Sequence, residues 1–331
     1  MANCEQMLMG GKPQNPKMRD ERIDSVKFWL IVLVIAGHVF MNSDFQQSKV
    51  CVIIWKWIYL FHMPLFIFIS GYFSSKKQTN QFKLSLFKLV EPLIIWNAIN
   101  LTIVYISKEN ITFKYLITPW WILWYLLSLI YWRLILQFVP SNILKKRNLV
   151  VCITFCISII AGFLPVGRFL SIQRTLSFMP FFFLGYCMKG NNIYLPKKYR
   201  PLCILLLISV IVVPLFFPRY LGDLCHADPY GNAYGALKRI FTFSLAILMS
   251  IAFINICPNI PWATKQGKLT MQYYIYHALA ITPIIIIVSK INIPMIFISA
   301  VIYIIILTIG IGIMLQLKFF KKLTNLSTLK K

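Results

Sequence analysis

The stretch RIDSVKFWLIVLVIAGH (residues 22–38) is apolar for most of its length, yet it carries Lys27 and, eleven residues on, His38. At about 100° per residue, eleven residues make three turns plus about 20°. The two side chains therefore share one helix face, about 16 Å apart along the axis. Asp24 lies three residues before Lys27, on the same face, and can pair with its ammonium. The pattern predicts a membrane-spanning helix with a cation near one surface and an imidazole near the bilayer middle. A Lys or Asp at the helix centre costs about 2.5–3.5 kcal/mol on insertion scales, so ionisable groups at this depth are functional candidates by default. Interface anchoring by snorkelling accounts for Lys27 and Asp24 equally well on the sequence alone.

The rest of the chain has the same character. Apolar residues are 59% of the 331 and charged residues 13%, against about 25% charged in an ordinary soluble domain. Apolar runs recur at 28–41, 50–73, 85–106, 116–139, 149–166, 175–188, 201–217, 240–257, 271–289 and 293–317. A helix needs about 20 residues to cross about 30 Å of hydrocarbon. The expected fold is an all-α polytopic integral membrane helix bundle with about ten transmembrane helices. It divides into a cytoplasmic leader (1–22), one transmembrane domain (23–320) and a cytoplasmic basic tail (321–331). The leader is polar and no small-residue cleavage site follows the first apolar run, so that run reads as an uncleaved span.

A net charge of +25 invites a nucleic-acid reading, but its distribution argues against one. With the N-terminus in the cytoplasm and ten alternating helices, basic residues gather in every second loop: Lys76 and Lys77, then Lys145 to Arg147, Lys189 to Arg200, and Lys265 with Lys268. This is the positive-inside bias of an inner-membrane protein with both termini cytoplasmic. A nucleic-acid binder would show one patch or stripe instead. The partner is the lipid bilayer. The eight cysteines are scattered and lack metal-ligand spacing; they read as small buried or lipid-facing residues, and no metal is expected. Asp223, Cys225, His226 and Asp228 in one loop form a weak metal candidate.

The second run contains FHMPLFIFISGY (61–72). His62 sits at a depth similar to that of His38. Pro64 leaves one backbone carbonyl without its helical partner and permits a kink beside His62. Ser70, Gly71 and Tyr72 close the run, and the glycine allows close approach by a partner helix or a ligand. The bland reading of His62 is an interhelical hydrogen bond. In LWYLLSLIYWR (123–133) Arg133 reads as a snorkelling anchor near the inner surface. Trp120 and Trp121 suit an interface belt. Arg174 opens RTLSFMPFFFLGY (174–186) at its outer end, and His277 in YYIYHAL (273–279) faces the bundle or a neighbouring helix.

Neutral imidazole accepts a hydroxyl proton near neutral pH, and a positioned general base is worth roughly 10²–10⁴-fold. A cation at the inner surface can hold the phosphates of an acyl-thioester donor. The residues permit this chemistry without demanding it, and midplane polar groups with kinked helices also fit a transporter or flippase for a glycan intermediate.

These segments together resemble the membrane acyltransferase family 3, in particular its fucose 4-O-acetylase-like branch. The first-helix signature of a cation, ten residues and a histidine is matched by Lys27 and His38, with Asp24 in the upstream place. FHMPLFIFISGY is similar to the second-helix motif, and the three later segments are similar to later landmarks. The resemblance covers about residues 20–320. It implies an O-acyltransferase that moves an acetyl group from cytoplasmic acetyl-CoA to a hydroxyl of a cell-surface polysaccharide or its sugar precursor. It implies a glycan acceptor and other polysaccharide-assembly proteins as partners. His38 and His62 would be catalytic, and Lys27, Lys83, Lys88, Ser70, Gly71 and Tyr72 would bind the donor. Asp24, Pro64 and Arg174 would support them. Lys27 stands where many relatives have arginine, so its contact with phosphate is a point charge, not a bidentate fork.

Overall fold

The computed structural model describes residues 20–42, 45–106, 119, 122–290, 297–317 and 319–320. Most of the leader, Trp120, Trp121 and the basic tail lie outside the described residues. Among those described, the chain is helical with no strand. The helices are α1 (Glu21–Phe40), α2 (Lys49–Tyr72), α3 (Thr79–Ile106), α4 (Trp124–Phe138), α5 (Ser141–Lys145), α6 (Arg147–Ala161) and α7 (Ile172–Cys187). After them come α8 (Arg200–Ser209), α9 (Val212–Phe216), α10 (Tyr234–Ile256), α11 (Pro261–Gly267), α12 (Thr270–Lys290) and α13 (Phe297–Met314).

Among the described residues each of the ten apolar runs contains helix, but fewer of these helices are long. Among the described residues, six segments are long and apolar enough to cross a membrane: Glu21–Phe40, Lys49–Tyr72, Thr79–Thr102, Lys197–Phe216, Tyr234–Ile256 and Phe297–Met314. The run at 201–217 turns at Val210 and Ile211 and so divides into α8 and α9. Helices α4, α6 and α7 are 15, 15 and 16 residues long. They fall short of the about 20 residues of a full perpendicular span. Helix α11 lies in a stretch whose apolar pattern is too short to reveal it. Its signals are Pro261 at the first turn and Gly267 at the end, the usual start–stop asymmetry.

The core forms where α1 and α2 meet their partners. Helix α1 is capped by Asp20, whose carboxylate accepts from Ile23 N–H at 3.1 Å. It packs against α2, α11, α12 and α13. Being surrounded on several sides, it buries residues all round, Ile23, Leu30, Ile31, Val34 and Val39 among them. Helix α2 continues unbroken through Pro64 and packs most extensively on α7. That crossing depends on two glycines: a Cβ on Gly71 would stand 1.8 Å from Phe182 O, and one on Gly185 would stand 2.0 Å from Phe68 O. Small residues at such points let two membrane helices bring their backbones together. Gly71 thus serves helix packing, the first of the two uses its position allowed, and Phe182 fills the space a ligand would need.

Candidate active site

Helix α1 is continuous from Glu21 to Phe40, so Lys27 and His38 do share a face along one rod. Near Lys27, a cavity of about 240 Å³ opens between α1, α2, α4 and α12. Lys27 is ion-paired to the buried Asp24 at 3.1 Å, and its ammonium lies 4.8 Å from the Phe73 ring centroid. Two further cations line the same cavity, Arg133 from α4 and Lys268 just after α11. Arg133 is half-buried, donates Nη1 to Ser85 O at 3.4 Å and forms part of the cavity wall. Lys268 is brought there because α11 lies directly on α1: a Cβ on Gly267 would meet Asp24 O at 1.7 Å.

The cavity wall also includes Ser70, Tyr125 and Tyr274, with apolar Val34, Met63 and Leu129 among its other residues. Ser70 Oγ and Tyr125 Oη are 2.6 Å apart, and Tyr274 O–H donates to Ile122 O. Tyr72 is not on this wall; its hydroxyl donates to Asn191 O at 3.2 Å. Lys83 and Lys88 stand exposed on α3, outside the set of cavity-lining residues.

Farther along α1, three of the chain's four histidines converge. His38 Nδ1 lies 3.3 Å from Tyr59 Oη, and its ring stacks on that of His277 with centroids 5.3 Å apart at 26°. The Tyr59 ring also meets His62 at 4.7 Å. His62 Nδ1 donates to Ile58 O at 2.8 Å and His277 Nδ1 to Tyr273 O at 3.1 Å, both within their own helices. The His62 hydrogen bond is therefore intrahelical, not the interhelical bond that is the usual structural use of such a residue. A carbonyl only accepts, so in both rings the proton sits on Nδ1 and Nε2 carries the lone pair. His277 Nε2 is buried and has no partner among the described residues. Tyr59 O–H also reaches Met41 Sδ at 3.4 Å.

The cavity and the histidines are adjacent in register. Val34 precedes His38 by one turn, Met63 follows His62, and Tyr274 precedes His277 by three residues. All three of these neighbours line the cavity. On the far side of the cluster stands Arg174, half-buried, its guanidinium 5.1 Å from the Trp124 ring centroid. It lies within electrostatic range of Tyr59, Asp223 and Cys225. Leu170 and Ser171, just before it, both take left-handed φ values of 46° and 56°, a conformation that non-glycine residues avoid.

The loop proposed as a weak metal site is organised otherwise. The Asp223 carboxylate accepts from the N–H groups of Cys225, Ala227 and Asp228 at 2.9, 2.7 and 3.2 Å. Asp228 pairs with Arg168 at 3.4 Å. Burial, and then the neighbouring Asp223, push the Cys225 thiol up to about 11, so it is protonated at neutral pH. Among the described residues no three His, Cys, Asp or Glu side chains converge as a metal site.

Of the residues singled out in the sequence, Lys27 and Asp24 lie at the cavity, and His38 and His62 meet at Tyr59, with Arg174 within electrostatic range of the same tyrosine. The sequence reads Arg133 as an anchor and Lys268 as an inner-loop charge, not as cavity residues, and it does not single out Tyr59. The signal for Arg133 was an always-charged group inside an apolar run; for Tyr59 it was the spacing of three residues to His62, which places both on one helix face.

Two nodulation proteins NolL match part of the chain. That of Mesorhizobium japonicum is 30% identical over 195 residues, 54% of this chain and 50% of the relative. That of Sinorhizobium fredii is 31% identical over 190 residues, 51% and 48%. The chain spans about half the length of these curated relatives. No solved structure matches it. A family model for the acyltransferase domain matches residues 20–316, from the cap of α1 to just beyond α13, and on this ground the chain belongs to acyltransferase family 3.

Proposed function

We propose that the protein is a membrane O-acyltransferase that moves an acetyl group from cytoplasmic acetyl-CoA to a hydroxyl of a cell-surface polysaccharide or its sugar precursor. The observation that carries this reading is α1 itself, with Lys27 at a cavity lined by three cations and His38 inside a cluster of histidines. In this reading the ten helical runs cross the inner membrane with both termini cytoplasmic. Other polysaccharide-assembly proteins then supply the acceptor from the opposite face.

Lys27, Arg133 and Lys268 hold the phosphates of the donor at the cavity mouth. Arg133 offers a fork that binds phosphate bidentately, and the two lysines add point charges. Asp24 keeps the Lys27 ammonium in place. Lys83 and Lys88 contribute only to the general positive field of that face. The thioester end points past Val34 and Met63 toward His38. When Tyr59 O–H donates to Met41 Sδ, its oxygen accepts from His38 Nδ1–H, and His38 Nε2 is left with a lone pair. The acceptor hydroxyl passes its proton to Nε2 as its oxygen attacks the thioester carbonyl carbon. The new C–O bond forms, the C–S bond breaks, and the proton moves on to the coenzyme A sulfur. His62 positions Tyr59, and Arg174 faces the acceptor side.

The test uses the purified chain in proteoliposomes with acetyl-labelled acetyl-CoA inside and glycan acceptor outside. Label on the glycan, lost in His38→Ala, is the expected result. Glycan translocation with no acetyl transfer would overturn the proposal in favour of a transporter.

A further inference from the structure

A second cavity, of about 250 Å³, lies in the loop that joins α9 to α10, walled by that loop and by Lys238, Arg239 and Thr242 at the start of α10. Its frame is fixed by bonds internal to the protein. Asp223 gathers three backbone N–H groups, and Tyr230 N–H donates to Gly162 O at 2.7 Å. The Tyr230 ring is seated between Gly162 and Gly235, where an added Cβ would come within 2.0 and 2.5 Å of it. Arg239 is 3% exposed, donates Nη1 to Ser158 O at 2.6 Å and lies 4.5 Å from the Tyr230 ring centroid.

Two polar atoms of this frame, Arg239 Nε and Tyr230 Oη, are buried with no partner among the described residues. Buried groups of this kind mark places where water or a ligand completes the bonding. The lining alternates donors and acceptors: Arg239, Lys238 and the Asn232 amide, with the Asp228 carboxylate and the hydroxyl of Thr242. Burial first, then Arg239 and Arg174, hold His226 well below the usual histidine range, so it adds a neutral ring. Close-set donors and acceptors beside the apolar faces of Leu221, Pro229 and Tyr230 match a sugar, which has hydroxyls at its rim and C–H faces. At about 30 Å³ per water the space equals about eight waters, commensurate with one pyranose ring.

The cavity is also placed to serve the transfer site. The His226 ring packs on Phe178 and Phe243 at 5.1 and 5.2 Å, and Asp223 and Cys225 lie within electrostatic range of Arg174. One layer of side chains thus separates this cavity from the acceptor side of the histidine cluster. We propose that it is a carbohydrate subsite, which holds a sugar unit of the acceptor while a neighbouring hydroxyl is presented past Arg174 to His38. The proposal rests on the acyltransferase reading for its purpose.

The test is saturation-transfer NMR on the full chain in lipid nanodiscs, with the methyl glycosides of fucose, galactose, glucose, N-acetylglucosamine and glucuronate as probes. At least one glycoside should bind. Asn232→Ala, Lys238→Ala and Tyr230→Phe should each weaken it about fivefold or more, the factor one ordinary hydrogen bond supplies. Their thermal midpoints should stay at that of the parent, and His38→Ala should bind unchanged. Absence of binding by all five glycosides, or binding that survives all three pocket substitutions, would overturn the subsite. Acetyl transfer measured in parallel separates the two ideas. Pocket-dependent binding without His38-dependent transfer removes the acyltransferase reading and leaves the sugar site. Transfer that is undiminished in all three variants at subsaturating acceptor removes the subsite and leaves the enzyme.

Discussion

At the scale of single residues, the structure divides the cations sharply. Lys27, Arg133 and Lys268 line one cavity, whereas Lys83 and Lys88 are exposed on α3. Each charge-assisted contact to a donor phosphate is worth about 1.5–3 kcal/mol, or roughly 10–150-fold in affinity. Arg133→Ala and Lys27→Ala should therefore raise the KM for acetyl-CoA about tenfold or more, while Lys83→Ala leaves it within about twofold. Steady-state kinetics at fixed acceptor reads both, and an equal effect of Lys83→Ala would refute the assignment. His38→Ala should lower kcat by about 10²–10⁴-fold, the usual worth of a positioned base, with the protein still accumulating in the membrane. Tyr59→Phe keeps the ring against His62 and removes only the hydroxyl beside His38 Nδ1, so its defect should lie in kcat with KM for the donor unchanged. The α1 spacing already showed Lys27 and His38 as one unit. Tyr59 and His277 were not legible as partners of His38, because that contact depends on how α2 and α12 rotate against α1, and rotation follows from packing.

At the scale of elements, the decisive feature is the crossing of α2 and α7. Gly71 and Gly185 each face a backbone carbonyl of the opposite helix, so the crossing that positions His62 and Arg174 in one bundle has no room for a methyl group. Gly71→Ala should cost about 1–3 kcal/mol, the usual penalty of overpacking, seen as a lower thermal midpoint in detergent. Gly310→Ala is the control. Nothing lies within 4 Å of its added Cβ, it sits within α13, and its change should stay within about 0.5 kcal/mol. An equal loss at both positions would show that the glycines matter for backbone conformation and not for approach. The apolar runs made the long helices plain. The division of α8 from α9 and the short α11 were hidden, since the turn at Val210 leaves the hydropathy pattern unbroken and the seven residues of PWATKQG sit in the polar gap between two apolar runs.

At the scale of the whole molecule, the basic residues and the two cavities define opposite ends. Arg22 lies 3.9 Å over the Tyr194 ring, Lys189 donates to Ser74 O at 2.9 Å, and Lys27 lies beside Phe73. The leader side of α1 and the loops after α2 and α7 are therefore together at the end of the molecule that holds the Lys27 cavity. Gly162 and Tyr230 join the loops after α6 and α9 at the other end. In the proposed orientation, which follows the positive-inside rule, the first end faces the cytoplasm and its acetyl-CoA, and the loop of Asp223 to Asn232 faces the far side, where a glycan would enter. Orientation is thus a functional requirement of the proposed transfer and has its own test. In whole spheroplasts, a membrane-impermeant maleimide should label Asn232→Cys at once and should label Asn192→Cys only after permeabilisation. Both sites are exposed loop positions, and the parent protein, with its own free thiols, sets the background. The reverse pattern would place the three cations outside, away from the donor, and the path from Lys27 to His38 would then have no coenzyme A to receive.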